Sequence, residues 1–137
     1  MEAPVVLTID SIIDEIPVVS ERLEELMSGA GFSPEAVLDT QLAVEEAITN
    51  VIVHGYQQKG NEIRIACQVI DGAIEIRITD SAPPFNPLSL PTPDLASDVN
   101  ERRIGGLGIY LIRRVMDGAE YAYEGGKNIF TLTKKRT

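Results

Sequence analysis

A carboxylate, a carboxamide and an imidazole recur at i, i+4 and i+8 as Glu46, Asn50 and His54. In a helix that spacing stacks them on one face. Ala47, Ile48, Val51 and Ile52 lie beside them and can bury the remainder of the turn. Such a stripe can meet a ligand together, although the same spacing also makes a plain polar seam on an amphipathic helix. Gly55 is expected to stop the helix in the left-handed conformation. A second acid, Asp80, ends a run in which Ile74, Ile76 and Ile78 alternate with Glu75, Arg77 and Thr79. Gly105, Gly106 and Gly108 then lead into the helical run from Tyr110 to Asp117. A glycine-rich turn feeding a helix presents free backbone N–H groups, which can cradle phosphate. Close helix packing explains three such glycines nearly as well. No Gly-Lys-Ser/Thr follows and a loop precedes, so neither the P-loop nor the dinucleotide fingerprint fits.

The elements that must hold these groups are legible from patterning. Val5 to Ile9 is a β-rich run after Pro4 and is expected to form an edge strand. Ser11 is placed to cap the next segment, with Asp14 three residues on. Ile12, Ile16, Val19, Leu23 and Leu26 mark one face of a helix. Pro17 either separates the first turns or kinks that helix, and Gly29 and Gly31 end it. Ser33-Pro34-Glu35 combines a cap, an N1 proline and an acid at the positive helix end. The helix it starts is expected to run about 21 residues, to His54, longer than average. Ile63, Ile65, Cys67 and Val69 alternate into the strong turn Asp71-Gly72, so this strand and the Asp80 strand form a hairpin. From 81 to 104, Pro83, Pro84, Pro87, Pro91 and Pro93 are too dense for regular structure. A loop of that length is expected to be a lid over a site, against the alternative of a proline-stiffened surface excursion. Gly118 is expected to close the following helix. Tyr121, Tyr123 and the run Ile129 to Thr133 make a last hairpin around Gly125-Gly126, and Lys134-Lys135-Arg136 reads as a solvated basic end. The sum is an α+β chain, a two-layer sandwich with a mixed, mostly antiparallel sheet and helices on one face.

Composition narrows the partners. The chain has 137 residues, which predicts one domain spanning 1–137. Its 21 acids against 12 bases give a formal net charge of −9, which argues against a nucleic-acid groove and an anionic membrane surface. A nucleotide is still allowed, because a divalent cation and backbone amides offset phosphate charge. Cys67 is the single cysteine and is expected to be a small buried side chain, without an intrachain disulfide. No signal peptide or transmembrane run is expected.

Three stretches taken in order resemble a known family: Glu46-Ala47-x-x-Asn50-x-x-x-His54-Gly55-Tyr56, Asp80-x-x-x-Pro84-Phe85-x-Pro87, and Gly105-Gly106-Leu107-Gly108. They are similar to the motifs of the GHKL (Bergerat) ATP-binding fold, and within it to bacterial anti-sigma-factor serine/threonine kinases. The resemblance implies that Asn50 binds Mg²⁺, that Glu46 is the general base, and that Asp80 accepts a hydrogen bond from the adenine amino group. It implies phosphate-side roles for Gly105, Gly106 and Gly108, and an adenine contact for Thr131. These roles suit the residue types. A hard cation takes oxygen ligands, and a carboxylate one turn away can deprotonate a hydroxyl. Glu45 points about 100° away from Glu46, off the Asn50 face. His54 is expected to support the helix end. Arg102 or Arg103, at the end of the lid, could reach the γ-phosphate. The sequence departs from the family at Ala82 and Pro84, where glycines are common.

The resemblance thus implies a cytoplasmic, ATP- and Mg²⁺-dependent protein-serine kinase. Its substrate would be a STAS-domain anti-anti-sigma protein, and it would hold a sigma factor or a similar regulator when that protein is phosphorylated. A homodimer is in keeping with the family. The alternative is a regulatory module that binds nucleotide without kinase activity. A histidine kinase catalytic domain fits less well, since 137 residues carry no phospho-acceptor helices.

Overall fold

The computed structural model describes residues 4–56, 61–89 and 107–136. Strand β1 (Val5–Asp10) is followed by a 3-10 turn (Ile13–Glu15) and helix α1 (Ile16–Gly29). Helix α2 (Pro34–Asn50) continues as a wider, π-helical turn (Val51–Tyr56). The hairpin β2 (Glu62–Ile70) and β3 (Ala73–Asp80) comes next, then a 3-10 turn at Pro87–Ser89. Helix α3 (Leu107–Val115) leads into the hairpin β4 (Gly118–Glu124) and β5 (Lys127–Lys135).

Pro17 separates the first turns rather than kinking a helix: it sits in the first turn of α1, where its missing N–H costs nothing. The Ser33 hydroxyl accepts from the Ala36 N–H at 3.1 Å and starts α2 as expected. Ser11 does not cap a helix. Buried at the end of β1, it donates its N–H to the Asn61 carbonyl at 2.8 Å, and its hydroxyl accepts from the Asn61 N–H at 3.2 Å. It therefore fastens the end of β1 to the start of β2. Asp71 and Gly72 have φ of 49° and 78°, and Gly125 and Gly126 have 59° and 79°. Both pairs are the left-handed turns that suit the twist of a hairpin.

The sheet order is β1-β2-β3-β5-β4, with β1 at one edge. Every pairing among the described residues is antiparallel, so the expected mixed sheet is corrected. Two helices carry the chain out and back, so β2 starts where β1 ends, Asp10 opposite Glu62. The connection through α3 does make β4 run in the same direction as β3. The Gly125-Gly126 turn then folds β5 back between them, so among the described residues no two parallel strands touch.

The three described helices cover one face. Val19, Leu23 and Met27 from α1, Val44 and Ile48 from α2, and Ile112 from α3 are fully buried in one core with Ile63, Ile65, Ile74, Ile76, Ile78 and Leu132 from the sheet. Cys67 joins that core, and burial pushes its thiol up to about 11. Gly118 opens β4 instead of closing α3, which ends at Val115. The basic end is not merely solvated. Lys134 pairs with Asp39 of α2 at 3.2 Å and donates to the Val115 carbonyl, and Arg136 donates to the Ala30 carbonyl at 3.1 Å. No described helix is long and apolar enough to cross a membrane.

Candidate active site

The site forms where α2 passes over the end of β3. α2 presents Ala47 and Asn50, and the π turn adds Val51 and Gly55. The sheet contributes Ile78, Asp80, Tyr121, Asn128 and Phe130, and the segment after β3 closes the space with Ala82, Pro83, Phe85 and Pro87. The cavity is partly open, with a volume of about 30 Å³.

Asp80 lies on the floor of this cavity, 6% exposed. It is inward-facing because it continues the row of Ile74, Ile76 and Ile78. Its Oδ1 accepts from the Ala82 N–H and from Asn128 Nδ2, each at 2.9 Å. Its Oδ2 has no donor among the described residues. A buried carboxylate oxygen left without a partner is costly, and it fits a ligand that brings an N–H donor. Asn50 ends α2, half-buried at the cavity wall, and its carboxamide has no hydrogen-bond partner among the described residues. No cluster of three His, Cys, Asp or Glu side chains is arranged for a metal among those residues. The donors present fit a hard cation that takes one carboxamide oxygen and fills its remaining positions with phosphate and water.

Glu46 sits one turn before Asn50 and does not line the cavity; it faces the start of α3. Its Oε2 is 2.8 Å from where a Cβ on Gly108 would stand. Glycine at 108 is what lets the carboxylate occupy this place. Burial, and next the adjacent Glu45 charge, push the Glu46 carboxyl above its ordinary value. A carboxylate desolvated and raised in this way is suited to take a proton near neutral pH. Glu45 is committed elsewhere, accepting from the Ser20 hydroxyl at 2.8 Å and tying α2 to α1.

Three expectations change here. Thr131 stands opposite Arg77 on the sheet face away from the helices, whereas Asp80 and its partner Asn128 face the cavity. Strand residues three apart point to opposite faces, so Thr131 does not reach the site. Gly55 is not among the left-handed glycines. It gives room for a close approach, since a Cβ there would lie 3.1 Å from the Ala82 methyl. Ala82 is buried and is not among the residues with a left-handed backbone angle. His54 leaves the Glu46–Asn50 stripe because the π turn widens the repeat. It is exposed, with its ring centroid 6.1 Å from that of Phe85. Gly105, Gly106, Arg102 and Arg103 lie outside the described residues.

Asn128 is the residue that patterning missed. It donates from Nδ2 to Asp80 Oδ1, to the Ala82 carbonyl at 3.0 Å and to the Pro83 carbonyl at 3.2 Å. Its Oδ1 accepts from the Phe85 N–H at 3.1 Å and from the Tyr121 hydroxyl. The available signal was a polar residue alternating with Phe130 and Leu132 in an otherwise apolar inward row.

A five-stranded antiparallel sheet covered by helices, with a carboxamide, a buried acid and a desolvated glutamate at one end, has the architecture of a nucleotide-binding ATPase domain. The Histidine kinase-like ATPase domain family matches residues 11–134. The chain belongs to that family and, within it, to the serine-protein kinases of the RsbW type. The serine-protein kinase RsbW of Listeria monocytogenes serovar 1/2a is 33% identical over 117 residues, 82% of this chain and 74% of that protein. The Staphylococcus aureus (strain bovine RF122 / ET3-1) serine-protein kinase RsbW is 30% identical over 125 residues, 87% and 78%. A crystal structure of RsbU and RsbW domains from Mycobacterium tuberculosis superposes with a TM-score of 0.69 at 20% identity, covering 98% of this chain and 32% of that one. That last likeness supports the fold alone. The expected fold class and kinase family are thereby borne out.

Proposed function

We propose that this kinase transfers the γ-phosphoryl group of ATP to a serine of a STAS-domain anti-anti-sigma protein, and holds a sigma factor once that protein is phosphorylated. The observation that carries the nucleotide part is that Oδ2 of buried Asp80, in a cavity shared with Asn50, has no donor among the described residues. An adenine amino group supplies the donor that Oδ2 lacks. A 6-oxopurine would set an acceptor against it. Asn50 is the residue to hold Mg²⁺, which when bound offsets the charge of the phosphates. Glu46 takes the proton from the serine hydroxyl as its oxygen bonds to the γ-phosphorus. The bond from that phosphorus to the β,γ-bridging oxygen breaks, and ADP leaves with the electron pair. The glycines Gly105, Gly106 and Gly108 are proposed to line the phosphate side. The chain is proposed to form one functional domain over 1–137 that acts as a cytoplasmic homodimer.

The test is phosphoryl transfer from labelled Mg-ATP to the STAS-domain protein encoded nearest this chain. Wild type should label a serine, and Glu46→Gln should bind ATP without labelling it. ATP bound by wild type with no labelled serine would favour a regulatory module that uses nucleotide only as a ligand.

A further inference from the structure

We infer that Asn128 is a positioning residue that sets the base preference of the site by orienting Asp80. The inference rests on reading Asp80 as the acceptor for the purine amino group. Asn128 is 5% exposed, and its amide orientation is fixed by its neighbours. The Phe85 N–H is a donor only, so the atom it faces at 3.1 Å must be the amide oxygen. The amide nitrogen must then face Asp80 Oδ1, where it donates at 2.9 Å. The Ala82 and Pro83 carbonyls, at 3.0 and 3.2 Å, are acceptors and hold the nitrogen in the same sense. Tyr121 braces the opposite side by donating to the oxygen.

Two consequences follow for Asp80. Its Oδ1 receives two donors, Asn128 Nδ2 and the Ala82 N–H, which hold the carboxylate's orientation and leave Oδ2 without a donor among the described residues. A carboxylate oxygen accepts hydrogen bonds. An amino group at the purine 6-position is then matched and a carbonyl there is opposed. The same amide grips the backbone of Ala82, Pro83 and Phe85, the segment that closes the cavity. Base preference and the placement of this backbone thus depend on one side chain.

The experiment is a calorimetric titration of Mg-ADP and Mg-inosine diphosphate into wild type, Asn128→Ala, Asn128→Asp and Asp80→Asn. Wild type should prefer ADP. Asn128→Ala should cut the ratio of the two affinities about tenfold, the worth of a hydrogen bond to a charged group. Asn128→Asp keeps the volume but sets a second carboxylate against Asp80. It removes the amide donor that orients Asp80 Oδ1, so the ratio should again fall. This isosteric variant carries the test if the alanine variant does not fold. Combining Asn128→Ala with Asp80→Asn should lower the ratio no further than Asp80→Asn alone, because both act through one carboxylate. A residue that served packing alone would weaken both nucleotides equally. An unchanged ratio in Asn128→Ala and Asn128→Asp, with wild type still preferring ADP, overturns the inference and leaves the reading of Asp80 standing. A wild type without preference for ADP overturns both.

Discussion

Glu46 does its proposed chemistry because it is partly withdrawn from water. Burial and the neighbouring Glu45 charge raise its carboxyl, so the acid limb of the rate profile should lie above the ordinary carboxylate range. Glu46→Gln should lower phosphoryl transfer by about 10²–10⁴-fold and leave nucleotide affinity intact. The same shift bears on stability, with a definite sign. A carboxyl whose folded value is raised binds its proton more tightly in the folded state. Its contribution is present at low pH and is lost as pH rises through the folded value. Glu46→Gln should therefore unfold at a higher temperature than wild type at pH 7, and the difference should shrink as pH falls through the raised carboxyl range. Thermal unfolding of the two proteins across that range checks both statements. Glu46, Asn50 and Asp80 were all legible as residues, because a helical spacing and a strand end mark them. Asn128 was not. Its side depends on strand register, and a one-residue slip exchanges the two faces of a strand. With β5 read as starting at Ile129, nothing fixed which of Asn128 and Thr131 faced the site. The structure starts β5 at Lys127, directly after the glycine turn, and pairs Asn128 with Asp80.

At the scale of elements, α2 and α3 meet through a missing side chain. A methyl at Gly108 would stand 2.8 Å from Glu46 Oε2. The obstructing atom is the end of a flexible side chain, so the fold can yield while the site cannot. Gly108→Ala should reduce transfer at least tenfold, on the order of 1.4 kcal/mol in the barrier. It should change unfolding free energy by less than about 1 kcal/mol, since alanine is the better helix former. Equal losses of activity and stability would contradict this account of Gly108. β5 is fastened to the helices by Lys134, which joins Asp39 of α2 and the Val115 carbonyl at the end of α3. Lys134→Ala should cost about 1–2 kcal/mol in denaturant unfolding, because a half-buried acid and a carbonyl lose their donor. Element boundaries came readily from caps, turns and alternation, and Ser33 and both glycine hairpins act as their chemistry predicts. Ser11, Gly55 and Lys134 look alike in sequence to a cap, a stop and a solvated tail. Each acquires its role from a residue distant in the chain: Asn61, Ala82 and Asp39.

For the whole molecule, one core on one face of the sheet holds the site in place. Ile76 is fully buried in the central strand β3, four residues before Asp80. Ile76→Ala should cost about 2–5 kcal/mol in denaturant unfolding. The antiparallel closure of β5 against β3 is what sets Asn128 beside Asp80, so fold and site share a single pairing. Periodicity alone could not decide that topology, because it depends on β5 returning between two strands that run the same way. Ligand should in turn stabilise the fold. Mg-ATP at about 100 times its dissociation constant should add about 2.7 kcal/mol. The most direct test of the central claim is calorimetric titration of Mg-ATP into wild type and Asp80→Asn. Saturable binding at one site per chain, weakened about tenfold or more by Asp80→Asn, is the predicted result. No binding to wild type at millimolar Mg-ATP, or equal binding to both proteins, would contradict it.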